Sequence, residues 1–204
     1  MTPQHKAELE KIARRIVVAR NVRAYLEVGA RNGISLAIIG EAMRRGGVIV
    51  AVDLVAGPWG TPGSGRSLRA VAADLRVCRG HRVELVFGDS RCPQTRDTVW
   101  RLAKECPRVA RGANRPFDLV FIDADHTYEG VSGDWLFYGQ MGRIVVFDDI
   151  ARSAEAEKWH DDKKLRFGVA TLWNELKTAA NGDWWTCEIM EEGSNNGKGV
   201  LTWR

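Results

Sequence analysis

The chain has 204 residues, 45% apolar and 27% charged, with 30 Lys/Arg against 26 Asp/Glu for a formal charge of +4. This mix fits one globular domain (1–204) and argues against disordered, fibrous and two-domain chains, and no run approaches the ~18 apolar residues of a membrane span. The charge is uneven: residues 1–115 carry 21 Lys/Arg and 10 Asp/Glu, while residues 116–204 carry 9 and 16. The first part is therefore basic by +11 and the second acidic by −7. A nucleic-acid partner and arginines scattered over solvated helix faces both produce such a split.

Residues 1–22 place Leu9, Ile12, Ala13, Ile16 and Val17 at helical spacing, which predicts one amphipathic helix ahead of a core over 23–204. This segment lacks the continuous apolar centre of a signal peptide, so a cytoplasmic location is expected. A strand over 24–28 leads into a helix over 33–45 that stops at Gly46 and Gly47, and a second strand over 48–52 ends on Asp53. The Gly/Pro/Ser-rich run 57–65 reads as a loop, either a lid or a connector. A helix over 67–79, a strand over 83–87, a helix over 94–106, a basic loop over 108–115 and a strand over 117–122 follow. Next come a helix over 128–138, a strand over 143–147, a charged segment over 152–164 and a helix over 169–180. The stretches 184–190 and 199–203 flank a Ser-Asn-Asn-Gly turn, which predicts an antiparallel hairpin at the sheet edge. Alternating strands and helices imply an α/β fold with a Rossmann-like, doubly wound, mostly parallel sheet of seven strands. Cys78, Cys92, Cys106 and Cys187 are far apart without a C-x-x-C pair, so reduced thiols are expected rather than zinc ligands or disulfides.

Ligands in such sheets bind at the carboxyl ends of the strands. Glu27, Gly29, Gly33 and Ser35 lie in the first strand-to-helix turn, where glycines admit close backbone approach and a helix N-terminus offers N–H groups to an anion. The spacing is not G-x-G-x-x-G, which argues against a nicotinamide oxidoreductase. Asp53 ends the second strand, where a carboxylate accepts ribose hydroxyls, and Asp89 and Ser90 follow the third, where they border a purine. Singly, each has an ordinary structural reading, since glycines turn chains and Asp caps helices. Together, over 25–150, they resemble class I S-adenosylmethionine-dependent methyltransferases. The resemblance implies that Glu27, Gly29 and Gly33 shape the cofactor loop, that Ser35 meets the methionine carboxylate, and that Asp53 holds the ribose. It also places Asp89 and Ser90 beside the adenine and counts Asp123 among the cofactor-binding residues.

The strand 117–122 runs into Asp123-Ala124-Asp125-His126, and the strand 143–147 into Asp148-Asp149. As neighbours, these strands bring Asp123, Asp148 and Asp149 together, and three carboxylates call for a neutralising cation. Oxygen ligands favour Mg²⁺, with Mn²⁺ or Ca²⁺ as alternatives, while helix capping and arginine pairing are the competing reading. The two runs resemble metal-dependent O-methyltransferases of the catechol and caffeoyl-CoA type, and a bacterial group of cephalosporin-hydroxylase-like and macrolide-sugar O-methyltransferases. That resemblance puts the metal positions on Asp123, Asp148 and Asp149. The last is Asp where the catechol-type family has Asn, which leaves direct and water-mediated ligation open. It puts the family's catalytic lysine on His126. A histidine of ordinary pKa ~6.5 is neutral enough to act as a base near pH 7; orienting Asp125 or the following helix is its other reading.

The function implied is O-methylation of a small-molecule hydroxyl, on a sugar, catechol or natural product, with metal fixing the oxygen and His126 taking its proton. The alternatives are a nucleic-acid methyltransferase using the basic part and a noncatalytic cofactor-binding protein. Trp59 and Trp159 are expected over the substrate, while the run from Trp159 through His160, Asp161 and Asp162 is either a solvated loop or the source of a further ligand. No separate substrate domain is expected in a chain of this length. The acceptor pocket is therefore expected from short loops, the N-terminal helix or a second subunit of a homo-oligomer.

Overall fold

In the computed structural model, residues 2–55, 63–106, 114–151, 167–179, 182–192 and 196–204 are described. β1 (Ala24–Val28) is buried along its whole length, and its period-2 alternation divides the core. Leu26 and Val28 join the apolar cluster on one face of the sheet, and Tyr25 joins the cluster on the other. The remaining strands are β2 (Val48–Asp53), β3 (Arg82–Phe87), β4 (Phe117–Ile122), β5 (Gly142–Asp148), β6 (Trp184–Ile189) and β7 (Lys198–Trp203), in the order β3-β2-β1-β4-β5-β7-β6. β7 runs antiparallel to both neighbours, and every other pairing is parallel.

Helices α1 (Pro3–Ile12), α2 (Ile34–Ala42) and α3 (Ser64–Arg79) cover the Tyr25 face through Leu9, Ile12, Leu36, Ile39, Leu68 and Leu75. Helices α4 (Pro93–Lys104), α5 (Tyr128–Phe137) and α6 (Val169–Thr178) cover the other through Val99, Val131, Trp135, Leu172, Trp173 and Leu176. The doubly wound, seven-stranded architecture expected from the alternation is thus the one observed.

Two elements differ from expectation. The N-terminal helix is capped by the Thr2 side chain and opens on Pro3, but from Ala13 to Val18 it widens into a π-helix. The wider turn keeps the adjacent Ile16 and Val17 both buried. α3 starts three residues early, because Gly63 (φ +83°) supplies the left-handed residue that opens it at Ser64. The antiparallel hairpin forms at the sheet edge as expected, with β7 beside β5 and β6 outermost. β7 is the more buried strand, with Lys198 through Leu201 all buried, whereas β6 exposes Trp185.

Candidate active site

β1 has β2 on one side and β4 on the other, so the strand order reverses between β1 and β4. The carboxyl ends of β3, β2, β1 and β4 form one rim, which carries Asp89 and Ser90, Asp53, Glu27 with Gly29, and Asp123. Gly29 (φ +97°) donates to the Val52 carbonyl at 2.8 Å, and a Cβ there would overlap the Asp123 carbonyl. Its glycine serves the close approach of the β1 and β4 ends. Gly33 (φ +83°) heads α2, whose first turn has no side-chain cap, so those N–H groups are open to an anion.

Glu27 is fully buried and accepts hydrogen bonds from the Tyr25 hydroxyl at 2.9 Å and from the Ser35 hydroxyl. Burial pushes its carboxyl up to about 7, against the lowering effect of those two donors. Ser35, expected to meet a ligand carboxylate, therefore spends its proton on Glu27. Asp53 accepts the backbone N–H of Arg31 at 2.5 Å through one oxygen and that of Val55 at 2.6 Å through the other. Arg31 (φ +47°) and Val55 (φ +60°) are both left-handed. For a β-branched residue that backbone is strained. Asp89 is gripped by Arg91, which donates its backbone N–H at 2.8 Å, Nε at 3.2 Å and Nη2 at 3.1 Å. The guanidinium holds the Asp89 carboxyl below the usual range. The Ser90 carbonyl accepts from the Tyr138 hydroxyl at 2.7 Å and from Arg96 Nε at 3.2 Å. The rim, with carboxylates at successive strand ends and bare N–H groups at α2, suits a ligand carrying hydroxyl and amino donors together with a carboxylate.

At the other end, His126 joins the two acidic turns. Its Nε2 lies 3.1 Å from Asp123 Oδ1 and its Nδ1 3.4 Å from Asp149 Oδ2. Burial on its own would lower the imidazole pKa, but the hydrogen bond to Asp123 and the charges of Asp149 and Asp148 outweigh it and raise it. Burial also raises the carboxyls of Asp123 and Asp149. Sequence reasoning treats His126 as neutral; two flanking carboxylates favour the imidazolium. Asp125 is elsewhere engaged, accepting the Thr127 N–H at 2.9 Å and lying 3.4 Å from Arg91 Nη1. Asp149 sits at φ +57°, and its Oδ1 is buried with no hydrogen-bond partner among the described residues.

Asp148 departs from the expected metal set. It is 2% exposed and is bound by the ammonium of Lys198, itself fully buried. Lys198 Nζ also donates to Glu8 Oε2 at 2.9 Å and lies 3.5 Å from His5 Nδ1, while His5 Nε2 is 3.7 Å from Asp148 Oδ2. The backbone N–H of Asp149 donates to Asp148 Oδ1 at 2.7 Å. Among the described residues, the ligand-type atoms that converge within 4.8 Å belong to His5, Asp148 and Asp149, without Asp123. With the central carboxylate committed to a buried ammonium, this donor set does not fit the divalent cation expected on Asp123, Asp148 and Asp149.

Sequence reasoning missed His5, Glu8 and Lys198. Glu8 had a signal: with Leu9 and Ile12 it lies on the apolar face of α1, where a charged residue needs a partner. The expectations for Trp59 and for Trp159, His160, Asp161 and Asp162 lie outside the described residues. Many arginines of the basic part have internal partners: Arg76 donates to the Val83 carbonyl, Arg79 to that of Met43 and Arg45 to that of Cys78. Arg69 and Arg96 lie over the rings of Phe87 and Phe137.

No protein of curated function matches the sequence. Among solved structures, the chain is similar to the O-methyltransferase from Bacillus cereus in complex with SAH, with a TM-score of 0.62 and 15% identity over 100% of this chain and 82% of that one. It is similar to the O-methyltransferase TomG from Streptomyces achromogenes, involved in tomaymycin synthesis and solved in complex with SAM, with a TM-score of 0.58 and 15% identity over 95% and 78%. It is also similar to the SAH-bound methyltransferase PaMTH1 of Podospora anserina, with a TM-score of 0.59 and 17% identity over 97% and 76%. At these identities the likeness establishes the shared fold. The family model described as a methyltransferase domain matches residues 26–150, which run from β1 through the end of β5 and hold every rim residue and His126, and the chain belongs to that methyltransferase family.

Proposed function

We propose that this chain methylates a hydroxyl group of a small molecule with S-adenosylmethionine as donor, and that His126 takes the hydroxyl proton. The observation that carries the reading is His126 held between Asp123 and Asp149 at the ends of β4 and β5, beside the rim where the strand order reverses. S-adenosylmethionine supplies an electrophilic sulfonium methyl. Asp53 and Asp89 are the groups for its hydroxyl and amino donors, and the open N–H groups of α2 are those for its carboxylate.

Asp149 orients the His126 ring from Nδ1, in the way a carboxylate fixes the tautomer of a catalytic histidine. The acceptor hydroxyl displaces Asp123 from Nε2, and Asp123, whose own carboxyl burial raises, leaves with the Nε2 proton, so the ring that meets the hydroxyl is the neutral base. A small acceptor is favoured over nucleic acid because the basic part spends many arginines on internal carbonyls, carboxylates and aromatic rings.

The test is production of S-adenosylhomocysteine from S-adenosylmethionine across panels of catechols, sugars and hydroxylated natural products, with amines, thiols and RNA as controls. A hydroxyl acceptor that turns over in wild type and fails in His126→Gln supports the proposal. Turnover confined to the controls sinks it.

A further inference from the structure

We propose that Lys198 takes the place of a divalent cation at this end of the sheet, neutralising the carboxylate cluster from within the chain. Methyl transfer then runs without a bound metal; that consequence rests on the function proposed above, whereas the placement of Lys198 does not.

The argument begins with register. β5 and β7 are antiparallel, and Asp148 lies directly opposite Lys198. Directly opposed residues project to the same face, so the pairing of the two strands itself delivers the ammonium to the carboxylate. On that face α1 closes over them, and Glu8 accepts from the same Nζ at 2.9 Å. Glu8, Lys198 and Asp148 are at most 2% exposed, so the ammonium has no route to solvent and no second place to go. A buried lysine persists only where carboxylates compensate it, and here two do.

The same contacts remove Asp148 as a metal ligand. Its Oδ1 accepts from both Lys198 and the Asp149 N–H, and its Oδ2 faces His5. A divalent cation on Asp148 would share one carboxylate with a fixed positive charge in a setting of low dielectric, where like charges repel strongly. Asp123 and Asp149 are bridged by His126, so each carboxylate of the expected metal set already meets a nitrogen donor of this chain. His5, Asp148 and Asp149 nevertheless have ligand atoms within 4.8 Å of one another. The geometry for a cation is close to formed, and Lys198 is what closes it.

This predicts a gain of function. Mn²⁺ binding to the full chain is followed by electron paramagnetic resonance and by calorimetry. Wild type is expected to bind no stoichiometric Mn²⁺ at millimolar concentration. The double variant Lys198→Met with Glu8→Gln, which removes the ammonium together with one of its two counter-charges, is expected to bind one Mn²⁺ at least about tenfold more tightly. Adding His5→Ala should abolish that gain. Stoichiometric Mn²⁺ binding by wild type overturns the proposal, as does a folded double variant that gains nothing.

Should the double variant fail to fold, wild type decides the matter: S-adenosylhomocysteine formation after exhaustive chelation is expected to equal that with Mg²⁺ restored, and a tenfold or greater rescue by Mg²⁺ overturns the assignment. A chain that methylates no hydroxyl at all defeats the proposed function and leaves the Mn²⁺ result standing.

Discussion

The two ends of the strand rim handle buried acid in opposite ways. At the β1–β3 end, groups within 22 residues along the chain satisfy each carboxylate. Glu27 takes the hydroxyls of Tyr25 and Ser35, Asp53 takes two backbone N–H groups, and Asp89 takes Arg91. At the β4–β5 end, the charges are balanced largely by side chains from distant segments, His5 and Glu8 from α1 and Lys198 from β7, with His126, three residues past Asp123, bridging to Asp149. The first end is thus built by local chain geometry and can hold its shape around a ligand. The second depends on the whole sheet being assembled, and a single substitution there reaches three elements.

That contrast sets the size of the expected effects. The largest belongs to the acidic end: His126→Gln should lower kcat by roughly 10²–10⁴, the usual worth of a positioned acid–base group, with the Kd for S-adenosylmethionine nearly unchanged. A variant that loses cofactor affinity and keeps kcat would place His126 on the wrong side of the comparison. Next, Lys198→Met alone leaves Glu8 and Asp148 buried without their cation. Denaturant unfolding should show a loss of about 3–5 kcal/mol, with His5 and the rest of α1 exchanging their amide protons faster. Unchanged stability would mean that the pair is not buried as described.

At the other end the effect should be smaller and local. Asp53→Ala strands the N–H groups of Arg31 and Val55 and removes the group proposed for the ribose, so calorimetry should record a cofactor Kd weaker by about 10–100-fold, or roughly 1–3 kcal/mol. Mn²⁺ binding and unfolding of the β5–β7 side should be indifferent to it; coupling between the two would erase the distinction drawn here.

The last effect is a pH dependence. Asp134 is fully buried on α5, and burial pushes its carboxyl from 3.8 up to about 7. A folded-state pKa above the unfolded one means that the native protein binds the extra proton. Its contribution is complete below about pH 3.8 and lost as pH rises toward about 7. Asp134→Asn should therefore match wild type near pH 4 and exceed it by roughly 1–3 kcal/mol at pH 8. A constant difference across that range would show that Asp134 does not titrate with folding.

Residue patterns were enough to fix the strands, most helices and the acidic strand ends, because alternation, helical spacing and turn residues are local properties that burial on both faces of a parallel sheet enforces. Glu27, Asp53, Asp89, Asp123 and His126 were legible for the same reason: a polar residue at the end of an apolar strand lands on one rim once the strands are parallel. Three things were decided only by tertiary structure. β7 rather than β6 pairs with β5, a choice that local turn chemistry does not determine. Gly29 is needed for the passage of the Asp123 backbone, a contact between residues 94 apart that its own neighbours do not reveal. And Asp148, read from its strand as a metal ligand, is paired by antiparallel register with Lys198 and by helix packing with α1. Charge compensation in a low-dielectric interior acts through space, over distances of a few ångströms, and the sequence separation of Glu8, Asp148 and Lys198 conceals it until the sheet is closed.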